Sequence, residues 1–524
     1  MKTLSKDDQT KLFLMIAILL GGIVRFMPVM MAGFPVNDGG MFYVMVEELK
    51  ANHFLLPAFT KYNLAGIPYA YPPFGFYVSA LISSLLRIPA LDVVRWLPPL
   101  VNTLSLLAFC LMSNEILRSR TQAALATLFY GLVPDSFGWA IMGGGITRSF
   151  GLLFLFLTIT YANRLFTRTS GLPVPLWVHA GLTALFGALA FLSHPETGVQ
   201  AAGACILLWL FRGRSRRTFF WSVAVALGVV VLTAPWWGTV LAQHGFAPFQ
   251  SAMGSSDDGT FHLAQLLTLQ IGGGVFFNLT VAMGLIGLLA VLASKRFLLP
   301  VWLALPFFVD PRSAGGMALV PMSMLAALGF DQVLAPALLS LRGKEGKWLS
   351  DRFVTLSMLV IAFYLFFNSS VYGLGLAGAS LSPADRETIA WVDKNISPES
   401  DFLLLTGEQY SMKDPFQEWF PALTKQHSQT TLQGAEWTLD ADFFPFYGEL
   451  VSLQRCTNVE CIKAWDERTG LKHRYLLIKK LPEGSLSPLQ GSLSLLLDSV
   501  RNSSDYEIVY ETGDVAIFEY LPND

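Results

Sequence analysis

A carboxylate on flexible backbone is the first candidate for chemistry in this sequence. Asp38 stands in the run VNDGG, early in a long segment from Phe34 to Tyr77. That segment is too polar to cross a bilayer and too rich in aromatic residues for an ordinary solvated loop. Glycine lets the backbone bend sharply, so Asp38 has the access that a general base needs. The alternative is a simple turn made by the Asn-Asp-Gly-Gly run.

Two arginines are candidates for binding an anion such as a phosphate. Arg148 follows the run GGGIT and opens an apolar helix, where backbone amides and a guanidinium group together form an anion site. Small residues at this place are also consistent with tight helix packing. Arg312 follows Asp310 and Pro311, and it is either a phosphate ligand or the partner of Asp310 in an ion pair.

Further ionisable residues lie at or inside predicted helix ends. Asp135 ends one apolar run, and His194 and Glu196 flank a proline at the end of another. A histidine with carboxylates can bind a divalent cation such as Mg or Mn, whereas the alternative is a polar helix end without a ligand. Charges at a membrane edge are costly, which favours functional roles, although edge arginines also extend to lipid headgroups. Arg25, inside the first apolar run, either extends to the membrane surface or pairs with an acid.

The elements that must position these residues are predicted to be membrane-spanning helices. Apolar residues make up 53% of the chain and charged residues only 14%, with a formal net charge of −2. The apolar residues form many long runs separated by basic clusters, which indicates a polytopic α-helical membrane protein. The near-neutral charge argues against a nucleic-acid partner. We predict a transmembrane domain over residues 1–372, with its first outer loop at 32–91, and a soluble extracytoplasmic α/β domain over 373–524.

Basic clusters predict the orientation of the helices, because they mark cytoplasmic ends. Their alternation gives about eleven spans, with the N-terminus in the cytoplasm and an acidic outer loop carrying Asp257 and Asp258. The apolar stretch from Phe74 to Ile88 is short, and we interpret it as a helix at the outer interface; an even count with this stretch as a span stays open. Tyr71, just before it, is a further candidate for contact with a substrate or a metal.

One consequence of this topology is that the candidate residues share the outer face. We therefore predict a single wet cleft there. Its candidates are Asp38, Tyr71, Asp135, Arg148, His194, Glu196 and Arg312.

The C-terminal part alternates helical and strand-like patterns, which predicts a small α/β domain. Ser382 is suited to cap its first helix and Pro383 to begin it. Strands are predicted at 402–405, 475–478, 507–510 and 515–520, and helices near 415–424 and 489–500. Cys456 and Cys461 form a disulfide if the domain is extracytoplasmic, but the sequence does not decide between paired and free thiols.

The membrane part resembles the integral-membrane glycosyltransferases of the GT-C fold, which include protein O-mannosyltransferases, aminoarabinose transferases and oligosaccharyltransferase catalytic subunits. The resemblance rests on the first outer loop with its early Asp38, the Tyr71-Pro72-Pro73 step into an interfacial helix, and Arg312 before a proline-containing helix. It implies transfer of a sugar from a polyprenyl-phosphate carrier to a protein, lipid or glycan acceptor outside the cytoplasm.

The same resemblance assigns roles to three residues. Asp38 would deprotonate the acceptor or help to hold a metal, and Arg148 and Arg312 would bind the carrier phosphate. The chain departs from the family pattern at two places. Gly39 stands where an acidic neighbour of the aspartate is usual, and Trp236-Trp237 is followed by Gly-Thr, not by the WWDYG-type motif. Asparagine of a peptide is therefore not the expected acceptor.

Two other functional classes stay open at the level of sequence. A transporter or flippase of lipids or glycans carries polar groups near the bilayer midplane and inverted repeats, whereas the ionisable residues here lie mostly at the outer rim. A non-catalytic membrane assembly protein, with the soluble domain as its partner-binding part, is the third interpretation.

Overall fold

The computed structural model describes residues 6–167, 174–254, 264, 268, 271–344, 348–481 and 487–521. The predicted acidic loop with Asp257 and Asp258 lies outside these residues. The helices before the C-terminal domain are α1 (Lys6–Ala32), α2 (Gly40–Ala51), α3 (Phe74–Leu86), α4 (Ala90–Leu117), α5 (Arg120–Gly131), α6 (Gly145–Thr167), α7 (Leu176–Ser193), α8 (Pro195–Arg212), α9 (Arg216–His244), α10 (Ala247–Gly254), α11 (Leu279–Ala293), α12 (Leu298–Ala304), α13 (Pro306–Val309), α14 (Ala314–Gly329), α15 (Ala335–Ser340) and α16 (Arg352–Ala377).

Seven helices of the described chain are long and apolar enough to cross a membrane: α1, α4, α6, α7, α9, α14 with its flanking turns, and α16. The protein is therefore an integral membrane protein, but the predicted count of about eleven spans is not confirmed. Helices do occur at the other four predicted positions. Of these, α5 has 12 residues, α8 begins with a polar turn, α11 has 15 residues, and α12 and α13 form a broken pair. The stretch at Phe74 forms the 13-residue helix α3, which is too short to span.

Small residues allow some of these helices to pack backbone to backbone. At Gly284 and Gly287 of α11, an added Cβ would collide with Met322 and Leu325 of α14, and at Gly329 it would collide with the carbonyl of Met283. Close approach of this kind is how membrane helices associate without a hydrophobic driving force. By contrast, only 6% of the most apolar 18-residue stretch of α9 is buried inside the protein, so most of this helix faces outward.

The basic clusters meet at one end of the bundle, as their alternation predicts. Arg120 at the start of α5 contacts Asp7 at the start of α1, 3.3 Å away. At the same end Arg164 of α6 pairs with Glu115 of α4 at 2.8 Å. We call this the basic end. The helix ends that carry Asp135, Arg148 and Glu196 lie at the opposite end.

The C-terminal domain is an α/β unit around a five-stranded sheet. Its elements are α17 (Pro383–Asn395), β1 (Asp401–Leu405), α18 (Pro415–Leu423), β2 (His427–Ser428), α19 (Phe443–Leu453), α20 (Val459–Thr469), β3 (Tyr475–Lys479), α21 (Gln490–Arg501), β4 (Tyr506–Glu511) and β5 (Val515–Tyr520). The strand order is β2-β1-β3-β5-β4, with β2, β1 and β3 parallel and the β3–β5 and β5–β4 pairs antiparallel.

Local signals in the sequence account for several of these elements. Ser382 caps α17 in a reciprocal capping box with Asp385, as its position before a proline predicts. The predicted strands are all present, and β5 has the predicted bounds. Cys456 and Cys461 are joined in a disulfide, which settles the pairing that the sequence left open.

One hydrophobic core joins the first outer loop to the C-terminal domain. Phe42 of α2 and Phe76 of α3 belong to the same cluster as Phe402 of β1 and Trp419 and Phe420 of α18. A second cluster fills the other face of the sheet. The C-terminal domain is therefore packed onto the segment that carries Asp38, at the end of the bundle opposite the basic end.

Candidate functional site

The turn around Asp38 is built from backbone conformations that favour glycine and asparagine. Asn37 has φ 53° and Gly39 has φ 118°, both in the left-handed region where a Cβ is usually disfavoured. The C-terminal domain holds this turn on its other side. The indole of Trp419 donates to the Asn37 carbonyl at 2.8 Å, and a carboxylate oxygen of Glu418 accepts from the amides of Gly39 and Met41, each at 3.2 Å.

Both oxygens of the Asp38 carboxylate are engaged. Oδ1 accepts from the amide of Gly144 at 2.9 Å, and Oδ2 accepts from the Arg148 guanidinium at 2.8 Å. The Asp38 side chain is 11% exposed and that of Arg148 is 23% exposed. The two residues that the sequence singled out on separate segments therefore form one ion pair.

Glycines on both segments make this contact possible. A Cβ on Gly39 would lie 2.7 Å from backbone atoms of Gly143, and one on Gly144 would lie 2.7 Å from Oδ2 of Asp38. A Cβ on Gly143 would collide with the Asp38 carbonyl. The two glycine runs of the sequence thus face each other, because only glycine permits such an approach. The packing alternative given for the run before Arg148 therefore applies, and its role in binding an anion stays a prediction.

Arg148 extends from this ion pair toward an open space. Its guanidinium donates to the Trp139 carbonyl at 3.2 Å and lies 5.2 Å from the centre of the Trp139 ring. A cation over an aromatic face is held by the ring quadrupole. Arg148 is thus fixed by a carboxylate on one side and an indole on the other.

Arg312 does not pair with Asp310. Its Nε lies 2.9 Å from a carboxylate oxygen of Glu196, while its side chain is 51% exposed. Asp310 instead accepts from the Ser313 hydroxyl at 2.5 Å. His194 lies beside the same carboxylate, with Nδ1 3.9 Å from the second oxygen of Glu196. Of the two interpretations of Arg312, the ion pair with Asp310 is not formed, because Glu196, at the start of α8, reaches the guanidinium from another helix.

All but one of the predicted site residues line a single cavity of about 970 Å³. The predicted members are Tyr71, Asp135, Arg148, His194, Glu196 and Arg312. Asp38 is the exception, since it lies directly behind Arg148 and does not line the cavity. The cavity lies between the end of the bundle opposite the basic end and the C-terminal domain.

The remaining walls combine aromatic side chains with small and aliphatic ones, and sequence reasoning missed most of the aromatic members. Trp139, Trp236, Phe246 and Phe249 line the membrane side, and the Trp236 indole donates to the Ala70 carbonyl at 3.1 Å. The clustering of aromatic residues between Trp236 and Phe249 was a signal that could have found three of them. Aromatic walls with a few charged groups are typical of pockets for organic ligands.

The C-terminal domain contributes Glu436 and Trp437 to the same cavity. They lie on a short turn that follows Gly434, whose φ is 89°. The Trp437 ring contacts Tyr71 with ring centres 5.8 Å apart. Ser251 of α10 donates its hydroxyl to the Glu436 carbonyl at 2.9 Å and so ties this turn to the membrane part. No sequence motif marked these residues, because their role depends on how the two domains pack.

Burial raises the pKa values of several acids around the site. Burial, followed by the negative charge of Asp38, raises the pKa of Glu418 to about 8. Burial likewise raises the pKa values of Glu436 and Asp135 above their ordinary range, and it raises that of Tyr71 to about 12. Removing a carboxyl group from water disfavours its charged form. The site therefore combines guanidinium charges with several buried acids whose charged forms are disfavoured by burial.

Arg25 follows neither of the two predictions made for it. It is completely buried and lies among neutral oxygens: it donates to Asn102 Oδ1 at 2.5 Å, to the Gly131 carbonyl at 2.7 Å and to the Ser136 hydroxyl at 3.1 Å. Gly131 ends α5, where backbone carbonyls lack helical partners. Arg25 therefore fixes the turn that carries Asp135.

Comparison with known proteins identifies the fold. No protein-family model and no curated protein sequence matches the chain. Solved structures do match. The Archaeoglobus fulgidus oligosaccharyltransferase has a TM-score of 0.58 at 15% identity, over 90% of this chain and 69% of that one. Arabinofuranosyltransferase AftD from Mycobacteria has a TM-score of 0.58 at 14% identity, over 100% of this chain and 40% of that one.

ArnT from Cupriavidus metallidurans bound to undecaprenyl phosphate has a TM-score of 0.56 at 14% identity and matches over 98% of both chains. These proteins are GT-C glycosyltransferases, so the chain has the GT-C fold that its sequence resembles. At this level of identity the comparison establishes the fold alone.

The predicted divalent metal is the part of the site that the residues fit least well. Within the described ranges, no group of three or more His, Cys, Asp or Glu side chains is placed to hold a metal ion. Glu196 is already paired with Arg312, and Asp38 with Arg148. A structure of the Archaeoglobus fulgidus enzyme contains Zn and sulfate. The oxygen and nitrogen ligands that a divalent cation needs are not brought together among the residues that the structure describes. No step of the reaction is therefore assigned to a metal.

Proposed function

We propose that this protein is a membrane glycosyltransferase that moves a sugar from a polyprenyl-phosphate-linked donor to an acceptor, with Asp38 as the general base. The observation that carries the proposal is a cavity of about 970 Å³ in which two guanidinium groups, from Arg148 and Arg312, accompany aromatic side chains. The GT-C fold supports it. Two proteins of that fold have been solved with polyprenyl phosphates, ArnT with undecaprenyl phosphate and the archaeal oligosaccharyltransferase with dolichol-phosphate.

Arg148 and Arg312 are suited to bind the carrier phosphate. Each has donors left over, because a guanidinium carries five N–H groups and the pairs with Asp38 and Glu196 use only part of them. As the bond between sugar and phosphate breaks, negative charge grows on the leaving phosphate. Fixed guanidinium groups stabilise that charge more strongly in the transition state than in the ground state.

Asp38 is the proposed proton acceptor. Because Asp38 does not line the cavity, the acceptor hydroxyl must approach past Arg148 to the 11% of the Asp38 side chain that is exposed. Each of its oxygens receives one hydrogen bond, and a carboxylate has about four lone-pair sites. In the proposed step the acceptor hydroxyl attacks C1 of the sugar and a new C–O bond forms there. The bond from C1 to the phosphate oxygen breaks, the polyprenyl phosphate leaves with the electron pair, and Asp38 takes the proton.

Two observations support an extracytoplasmic site. The Cys456–Cys461 disulfide is in the domain that closes the cavity, and disulfides persist in oxidising compartments. The basic clusters lie at the other end of the bundle, which is the pattern of cytoplasmic loops. We therefore assign the N-terminus to the cytoplasm and the C-terminal domain to the opposite face.

The test is a transfer assay with purified protein, a panel of polyprenyl-phosphate sugars, and lipid, glycan and peptide acceptors. Glycosylated product from any donor, lost when Arg148 is changed to Gln, is the expected result. Mass spectrometry of lipids that co-purify with the protein provides the matching binding experiment, with a bound polyprenyl phosphate expected. Absence of product across the panel, together with lipid movement driven by ATP or a gradient, would establish a transporter instead.

A further inference from the structure

A second cavity lies at the basic end of the bundle, away from the proposed active site. It has a volume of about 330 Å³ and is formed where α4, α8, α11 and α14 end and α12 begins. Arg212 and Arg296 are its charged lining residues. Its volume is within the usual range for small-molecule pockets.

The two arginines leave positive charge uncompensated. Arg212 donates to two neutral oxygens, Asn163 Oδ1 at 2.6 Å and the Ile116 carbonyl at 3.0 Å. The exposed side chain of Arg296 has no hydrogen-bond or ion-pair partner among the residues that the structure describes. Arg118 lies near Arg212 and adds a third positive charge.

The nearby acids offset only part of this charge. Glu115 attracts Arg212 electrostatically, but it is also paired with Arg164 at 2.8 Å, so one carboxylate faces several guanidinium groups. Asp331 does not line the cavity, and it accepts from the Gln122 amide at 2.8 Å and from the Trp348 indole at 2.6 Å. An anion that enters the cavity therefore meets guanidinium groups and no lining carboxylate.

Most of the remaining lining of the cavity is apolar, and Ser119, Gln122 and Gln332 are its polar members. Val291, Leu298, Leu299 and Leu328 line it, and Leu298 is only partly buried. The segment Phe330–Leu334, which follows α14, is a single π-helical turn and contributes the lining residue Gln332. Such turns occur often at functional sites. A ligand that uses the whole cavity must combine an anionic group with a hydrocarbon part.

We propose that this cavity binds an anionic phospholipid, with the phosphate on Arg212 and Arg296 and the first part of an acyl chain against the leucines. Basic pockets between membrane helices bind anionic headgroups in this way, and guanidinium groups give charge-assisted hydrogen bonds to phosphate oxygens. A free phosphate would leave the apolar wall in contact with water. The site is independent of the glycosyltransferase proposal.

Arg296 is the residue to test, because its side chain makes no hydrogen bond or ion pair with the part of the chain that the structure describes, whereas Arg212 holds the ends of α4 and α6. Delipidated protein in a non-ionic detergent is titrated with dioleoyl phosphatidylglycerol and followed by native mass spectrometry and thermal unfolding. Dioleoyl phosphatidylcholine and inorganic phosphate are the comparison ligands. The wild type should bind phosphatidylglycerol best and be stabilised by it.

Arg296→Gln should weaken phosphatidylglycerol binding by about five-fold or more, which corresponds to the loss of one basic residue near an anionic headgroup. Arg217→Gln, a loss of charge at an exposed position outside the cavity, should leave the affinity unchanged. Leu298→Asn should weaken binding through the apolar wall. Equal affinity for the two lipids, an unchanged affinity in Arg296→Gln, or full stabilisation by inorganic phosphate alone would each overturn the proposal.

Discussion

Replacing Asp38 by asparagine removes the proposed base while keeping the size of the side chain. The new amide oxygen can still accept from the Gly144 amide, 2.9 Å away in the wild type, so the turn keeps one of its two contacts. The loss is the charge opposite Arg148, 2.8 Å away. Since hydrogen bonds to charged groups contribute about 1.5–3 kcal/mol, we expect the free energy of unfolding to fall by no more than that amount.

The effect on turnover should be larger than the effect on stability. A positioned general base contributes about 10²- to 10⁴-fold to the rate, which is about 3–5 kcal/mol of activation free energy. The assay is single-turnover transfer at saturating donor, with the thermal midpoint measured on the same preparation. We expect a 10²-fold or greater loss of product formation with a folded protein.

Glu115→Gln is the matched control for this experiment. It breaks the Glu115–Arg164 pair, which has the same 2.8 Å separation and side chains that are 21% and 24% exposed, but lies at the basic end. It should reduce stability by a similar amount and leave turnover unchanged. Wild-type turnover in Asp38→Asn would remove Asp38 from the mechanism, and an equal loss of turnover in both variants would mean that general weakening of the bundle is responsible.

Three further predictions concern the cavity and the domain above it. Gly316→Leu should fill part of the cavity and lower donor binding, because Gly316 lines the cavity. It should not destabilise the helix, since a Cβ at Gly316 meets nothing within 4 Å. The control is Gly375→Leu, which is equally unobstructed but outside the cavity and should keep its activity. The pKa of Glu418 in the folded protein, about 8, exceeds its ordinary value, so folding favours the protonated carboxyl group. The free energy of unfolding should therefore fall as the pH rises from about 4.5 to 8. In Glu418→Gln the thermal midpoint should lose this pH dependence, and an unchanged pH profile would contradict the assignment. Cys456→Ser should lower the free energy of unfolding by about 2 kcal/mol, the value for a disulfide that closes a short loop. Sugar transfer at 25 °C should be unchanged, and loss of transfer in a folded variant would contradict this prediction.

Features set by short-range signals were predictable from the sequence. The capping box at Ser382 depends on neighbouring residues alone, and the strand at Val515–Tyr520 follows from local propensity and its bounding turns. The grouping of Asp135, Arg148 and Glu196 at one end also followed from the sequence, because alternating basic clusters fix which helix ends share a side. These predictions needed no knowledge of side-chain contacts.

Features set by packing between distant segments were not predictable. Pairing with Asp310, two residues away, was one of two interpretations of Arg312, but Arg312 pairs with Glu196 on another helix. Glu436 and Trp437 reach the cavity only because the C-terminal domain packs on the first outer loop. Arg25 is satisfied by carbonyl and amide oxygens that no periodicity reveals. In each case the partner is far along the chain, and only the tertiary structure brings it near.

The contacts around Asp38 give the C-terminal domain a larger part than covering the cavity. Trp419 holds the carbonyl of Asn37, and Glu418 accepts from the amides at the start of α2. Asn37 and Gly39 adopt left-handed conformations, which cost free energy unless the surroundings fix them. The domain supplies part of that fixation from one side, and the glycine run before Arg148 supplies the rest. Displacing the domain would therefore release the turn that aims the Asp38 carboxylate, so the domain positions the proposed base as well as closing the cavity.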